Sequence, residues 1–146
     1  MASTDSILIA APPERVWAIL ADWRRYPAWM PDVAWVRRRG PERELGLELD
    51  VKTKVFGLVP LVTDRIRVVA WEPARRMAIE HTGTVHGRAE WRLEPSGAGT
   101  LFRWREDVHL PPAPVGDLAL AVYWPVQRRL FRRSMRNLRR LAEGNR

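Results

Sequence analysis

The 146-residue sequence contains no cysteine, two lysines and three histidines. The missing thiol excludes disulfides, thiolate nucleophiles, thiolate zinc sites and iron–sulfur clusters together. His81, His86 and His109 are scattered without paired spacing, so no metal site and no other cofactor is expected. The longest early apolar run, Ile7 to Ala11, is too short for a signal peptide or a membrane span and follows no basic segment. We therefore expect a cytoplasmic protein. No glycine-rich phosphate loop, dinucleotide fingerprint or Gly-x-Ser-x-Gly elbow occurs.

Tryptophan and arginine are abundant. There are eight tryptophans, more than a core of this size requires. The formal charge of +8 is unevenly spread. Residues 128 to 146 carry eight arginines against Glu143, a local +7, so the first 127 residues are nearly neutral. Hydrophobic residues make 46% of the chain and charged residues 29%, the composition of a folded globular protein, and the length suits one domain spanning 1–146.

A short apolar strand ends at Ala11-Pro12-Pro13, where proline suits a first helical turn. Val16, Trp17 and Leu20 then follow at helical spacing, and Pro27 and Pro31 allow only one further turn. Leu45, Leu47, Leu49, Val51, Thr53 and Val55 alternate with polar residues, as do Ala89, Trp91 and Leu93, the pattern of antiparallel strands with one wet face. Pro95 to Gly99 is a turn into a last strand, Thr100 to Leu110. Gly116-Asp117 then reads as the cap of a long helix that Pro125 should kink and Gly144 should end. At 100° per residue its arginines occupy an arc of about 140°, opposite Phe131, Met135 and Leu138.

These elements, with Pro12-Pro13-Glu14-Arg15-Val16-Trp17 and Asp22-Trp23-x-x-Tyr26-Pro27-x-Trp29-x-Pro31, resemble the START/Bet v 1-like (SRPBCC) superfamily, in its bacterial polyketide cyclase/dehydrase branch. Trp71-Glu72-Pro73-Ala74-Arg75-Arg76-Met77 is similar to that branch's hairpin motif, and Gly99-Thr100-Leu101-Phe102-Arg103-Trp104 to its last strand. The resemblance implies an α+β helix-grip fold. An antiparallel sheet of about seven strands would wrap a long C-terminal helix, with two short helices between strands 1 and 2. It also implies an elongated apolar cavity holding a polyketide-, isoprenoid- or lipid-like molecule.

Period two puts Glu106 on the apolar face of the last strand with Phe102, Trp104 and Val108, a candidate acid/base. His81 shares a face with Met77 and Ile79. On the strand from Leu61 to Ala70 the periodicity turns Asp64 inward, whereas relatives carry an inward arginine best matched by Arg65; either faces the ligand. The tyrosine that cyclases carry after the second helix is Val33 here. The candidate catalytic set is Arg65, Glu106 and His81. The candidate ligand contacts are Trp29, Leu47, Leu49, Val51, Trp91, Trp104, Tyr123 and Phe131, and relatives place the cavity mouth near Trp23, Trp29 and Trp35.

The primary expectation is a carrier or sensor of a hydrophobic small molecule. The alternatives are an aromatase/cyclase-type enzyme and a lipid binder that docks on anionic membrane. Nucleic acid is not an expected partner, because no aromatic residue lies among the arginines to stack a base. Arg128, Arg132, Arg136 and Arg139 are the candidates for contact with an anionic membrane or an acidic partner, and the protein is expected to be a monomer or a homodimer.

Overall fold

In the computed structural model, which describes residues 1–144, the order is β1 (Ala2–Ile9), α1 (Pro13–Leu20), a 3-10 turn (Trp23–Arg25), α2 (Tyr26–Trp29), β2 (Val33–Arg39), β3 (Glu48–Val55), β4 (Val59–Glu72), β5 (Arg76–Thr82), β6 (His86–Ser96), β7 (Gly99–His109) and α3 (Val115–Ala142). The strands form one antiparallel sheet in the order β1-β7-β6-β5-β4-β3-β2. Hairpins join β2 through β7 in sequence, while β1 crosses over to pair with β7. The sheet grips α3, as the helix-grip expectation holds. No helix among the described residues is long and apolar enough to cross a membrane. Arg146, counted in the basic run, lies outside the described residues.

The family-like motifs fix corners of this frame. Thr100 donates its hydroxyl to the Ala11 carbonyl at 2.7 Å, and a side chain at Gly99 would strike the Ile9 carbonyl, so β7 begins flush against the β1–α1 corner. Arg76 bonds Glu72 at 2.9 Å and Glu90 at 2.7 Å, tying the β4–β5 hairpin to β6. These residues act on the fold, away from the interior. Trp29, Phe102, Leu20 and Leu138 are fully buried between sheet and helices, where each large side chain contributes about 1.5–3 kcal/mol of burial free energy.

Two expected boundaries move. The alternation read from Leu45 becomes strand only at Glu48, because Gly46 sits at φ +85° and breaks the extended backbone, leaving Leu45 exposed. The long helix starts at Val115, after Pro114, instead of being capped by Asp117. Asp117 lies in the first turn, and its carboxylate accepts the Leu110 N–H at 3.2 Å, tethering the end of β7. The helix is continuous through Pro125.

Candidate functional site

Between the concave sheet face and the first half of α3 lies a cavity of about 410 Å³. Its walls are mostly apolar, with Val51, Ile66, Met77, Trp91, Trp104 and Phe131 among the lining residues. Thr84 and Ala119 line it and are also exposed to solvent, and they mark the mouth. The mouth therefore opens between the β5–β6 turn and the start of α3. It does not open near Trp23, Trp29 and Trp35, as the resemblance implied, and none of the three lines the cavity.

Inside this apolar wall β4, β5 and β7 each contribute one ionisable side chain. His81 Nδ1 lies 2.6 Å from Asp64 Oδ2, and His81 Nε2 lies 3.5 Å from Glu106 Oε2. Asp64 Oδ1 also accepts the Val85 N–H at 3.4 Å, and Glu106 Oε1 accepts the Trp104 indole N–H at 2.9 Å. His81 can reach across β6 because that strand presents only Gly87 and Ala89 beside it: Gly87 pairs with His81, and Ala89 with Glu106. Burial pulls the His81 pKa down, but hydrogen bonding and charge from Asp64 and Glu106 overcome it and lift the pKa to about 10. The ring is therefore an imidazolium at neutral pH. Its Nε2–H is held by Glu106 alone, in an ion pair whose 3.5 Å length is too long for a strong hydrogen bond, so the donor is only weakly met.

A second polar pair, Asp32 and Gln127, also lines the cavity. Gln127 donates its side-chain amide to Asp32 Oδ2 at 3.3 Å. Burial pushes the Asp32 carboxyl up from the usual aspartate range, the Gln127 hydrogen bond pulls back, and the nearby Glu106 charge adds to the rise. Sequence reasoning missed both. Gln127 was accessible to it, since at 100° per residue it falls on the arc of Tyr123, Trp124 and Phe131. Asp32 sits in a loop between α2 and β2, where no periodicity marks an inward side chain.

The expected site residues divide cleanly. His81, Glu106, Val51, Trp91, Trp104, Tyr123 and Phe131 line the cavity. Arg65 does not: it is on the outer sheet face, with its Nε 3.3 Å from Asp50, while Asp64 points inward, so period two overrides the one-residue offset of the resemblance. Leu47 and Leu49 are fully buried beyond the cavity wall, where their strand face continues into the solid core. Trp29 is also fully buried and off the wall, packed against Tyr26, Trp91 and Trp104 at ring separations of 6.0, 5.6 and 6.2 Å. Val33, at the cyclase tyrosine position, lines the cavity without a polar group.

A family model described as polyketide cyclase / dehydrase and lipid transport matches residues 2–143. The chain belongs to that family. An uncharacterised protein of Mycobacterium bovis is 27% identical to this family member over 96% of its length and 83% of the relative's. The Zhui aromatase/cyclase of Streptomyces sp. R1128 superposes with a TM-score of 0.83 at 22% identity, covering 98% of this chain and 93% of that one. A protein of Thermus thermophilus superposes with a TM-score of 0.80 at 16% identity, covering 99% and 98%. At these identities the superpositions speak for the shared helix-grip, Bet v 1-like fold. The family match supports a ligand-binding or cyclase role for the chain.

Proposed function

We propose that this protein binds a largely apolar small molecule carrying a carbonyl or hydroxyl oxygen, seated so that the oxygen accepts the His81 Nε2–H. One observation carries the reading: a buried, protonated imidazole whose Nε2–H has only a long contact with Glu106 lines a 410 Å³ apolar cavity. Such a cavity gains affinity from apolar contact, and its few polar groups set orientation. Trp91 and Trp104 supply flat walls suited to an aromatic or polycyclic ligand. Native mass spectrometry of the freshly purified protein, compared with the denatured mass, tests the reading. A retained adduct of apolar, oxygen-bearing composition supports it. An empty protein that also fails to bind neutral polycyclic ketones overturns it.

The Asp64–His81–Glu106 cluster favours a second reading, a cyclase-type enzyme acting on a ketone. In that reading the Glu106 carboxylate removes a proton from the carbon next to a bound carbonyl. The C–H electron pair forms the C=C bond of an enol, and the carbonyl oxygen takes the proton from His81 Nε2. His81 is left neutral, still donating Nδ1–H to Asp64. Deuterium exchange at the α-carbon of a bound β-diketone reads this step directly. Glu106→Gln is expected to abolish exchange while sparing binding, and equal exchange in the variant removes Glu106 from the chemistry.

A further inference from the structure

Two neighbouring elements carry apolar side chains that the fold leaves in water. Leu58 is 78% and Val122 75% exposed, with Phe56, Leu61, Val115 and Leu118 exposed around them. They come from two elements, the β3–β4 hairpin and the first half of α3, and the two elements are joined. Phe56 packs its ring edge-on to Tyr123 at 5.2 Å and donates its backbone N–H to the Tyr123 hydroxyl at 2.9 Å. Phe56 is held at φ +56°, a left-handed conformation that disfavours a bulky residue, so the tip is kept in place at some cost.

Charge completes the pattern. From Val51 to Thr63 the hairpin has no acid and contains both lysines of the chain, Lys52 and Lys54. The only acid in α3 is Asp117, engaged by the Leu110 N–H. At 100° per residue Val115, Leu118, Val122, Arg129, Arg133, Arg136 and Arg140 all fall within one arc of about 60°. Every one of them is exposed, and among the described residues none of these four arginines pairs with an acid. The outer stripe of α3 is thus apolar beside the mouth and cationic beyond it. By contrast, Arg128 and Arg132 lie 3.4 and 3.6 Å from Asp5 and hold the helix to β1, and Arg139 is half-buried.

We propose that this stripe and the hairpin tip form one docking surface that lays the outer face of α3 along an anionic lipid bilayer, with the cavity mouth at Ala119 beside the edge of the contact. An acidic protein would match the arginines and leave the exposed apolar side chains unanswered. A bilayer takes both, with apolar side chains in the headgroup–acyl boundary and arginines on the headgroup charges of the same plane. Docking stands on this surface alone. Passage of a ligand between bilayer and cavity rests additionally on the cavity-binding reading.

Flotation with vesicles of phosphatidylglycerol and phosphatidylcholine in equal parts tests the docking. The wild-type protein is expected to bind at low salt, to release as salt rises, and to bind pure phosphatidylcholine far more weakly. Arg129→Gln with Arg133→Gln and Arg136→Gln should lose about a hundred-fold in affinity, near five-fold per charge removed. Leu58→Ser with Leu118→Ser should lose at least ten-fold while leaving the charge of the stripe unchanged. Each variant is also titrated with N-phenyl-1-naphthylamine, a neutral apolar probe; unchanged probe binding shows that fold and cavity survive, because none of these residues lines the cavity. Absence of wild-type binding to the anionic vesicles overturns the proposal. So does vesicle binding unaffected by the leucine pair, or matched by soluble polyglutamate, either of which makes the surface a plain cationic patch.

Discussion

Asp64 Oδ2 lies 2.6 Å from His81 Nδ1, joining β4 to β5 on the cavity wall. Without this partner a buried imidazole would be neutral; with it, and with Glu106 beyond, the ring stays protonated. The folded-state pKa of His81 is raised from 6.5 to about 10, so its contribution to stability is fully present below about pH 6.5 and is lost as pH rises through about 10. Chemical denaturation from pH 6 to pH 10 should show this decline. Asp64→Asn should flatten it, cost about 3 kcal/mol at neutral pH, and bring the His81 titration, followed by NMR, down toward 6.5. An unchanged His81 titration in Asp64→Asn removes Asp64 as its anchor.

Gly83 holds the β5–β6 turn against Asp64. A Cβ there would lie 2.5 Å from the Arg65 backbone nitrogen and 2.9 Å from Asp64 Oδ1, so Gly83→Ala must move β4 or the turn. We expect a loss of about 1–3 kcal/mol and a lowered His81 pKa, since the shift falls on Asp64 itself. The stability loss without the pKa change would mean that the turn moves away from the cluster and Asp64 stays.

Regular alternation made much of this legible. On β7 the period of two that groups Phe102, Trp104, Glu106 and Val108 is the inward face of the structure. On β4 the same period places Asp64 inside, while the family likeness alone pointed to Arg65. Pattern runs out where elements are short. Trp29 sits in a four-residue helix with no repeat to reveal its facing, and Asp32 in the loop after it. Leu47, Leu49 and Val51 share one strand face, but only the placement of α3 decides that the face is solid core at Leu49 and cavity wall at Val51. The three-residue meeting of Asp64, His81 and Glu106 depends on strand register, which no single strand encodes.

Trp29 and Trp104 are in contact yet should behave differently. Trp29 is sealed in the core, so Trp29→Phe is expected to cost about 1–2 kcal/mol and leave N-phenyl-1-naphthylamine affinity within about two-fold. Trp104 lines the cavity and donates to Glu106 Oε1 at 2.9 Å, so Trp104→Phe should weaken the probe by more than its effect on stability implies. Equal effects of the two substitutions on probe binding would place the ligand elsewhere.

Ala89 decides whether the polar cluster and the ligand share one space. It lies on the cavity wall, opposite Glu106 on β7 and one strand from His81. Enlarging a small residue in a packed core costs about 1–3 kcal/mol, but Ala89→Leu grows into open volume, so its effect on stability should stay near the low end. Affinity for a small apolar ligand should fall at least about ten-fold, because even one misplaced methylene in such a pocket is worth that much. The added side chain also crowds His81 Nε2 and Glu106 Oε2, now 3.5 Å apart, and should push them further from each other. Loss of that pairing should lower the His81 pKa part of the way, since the Asp64 contact remains. Titration calorimetry with the probe and an NMR titration of His81 measure the two effects on one variant. Both falling together places the ligand at the cluster. A lowered His81 pKa with undiminished affinity separates them, and the bound molecule then lies against Tyr123 and Phe131 without touching the charged groups.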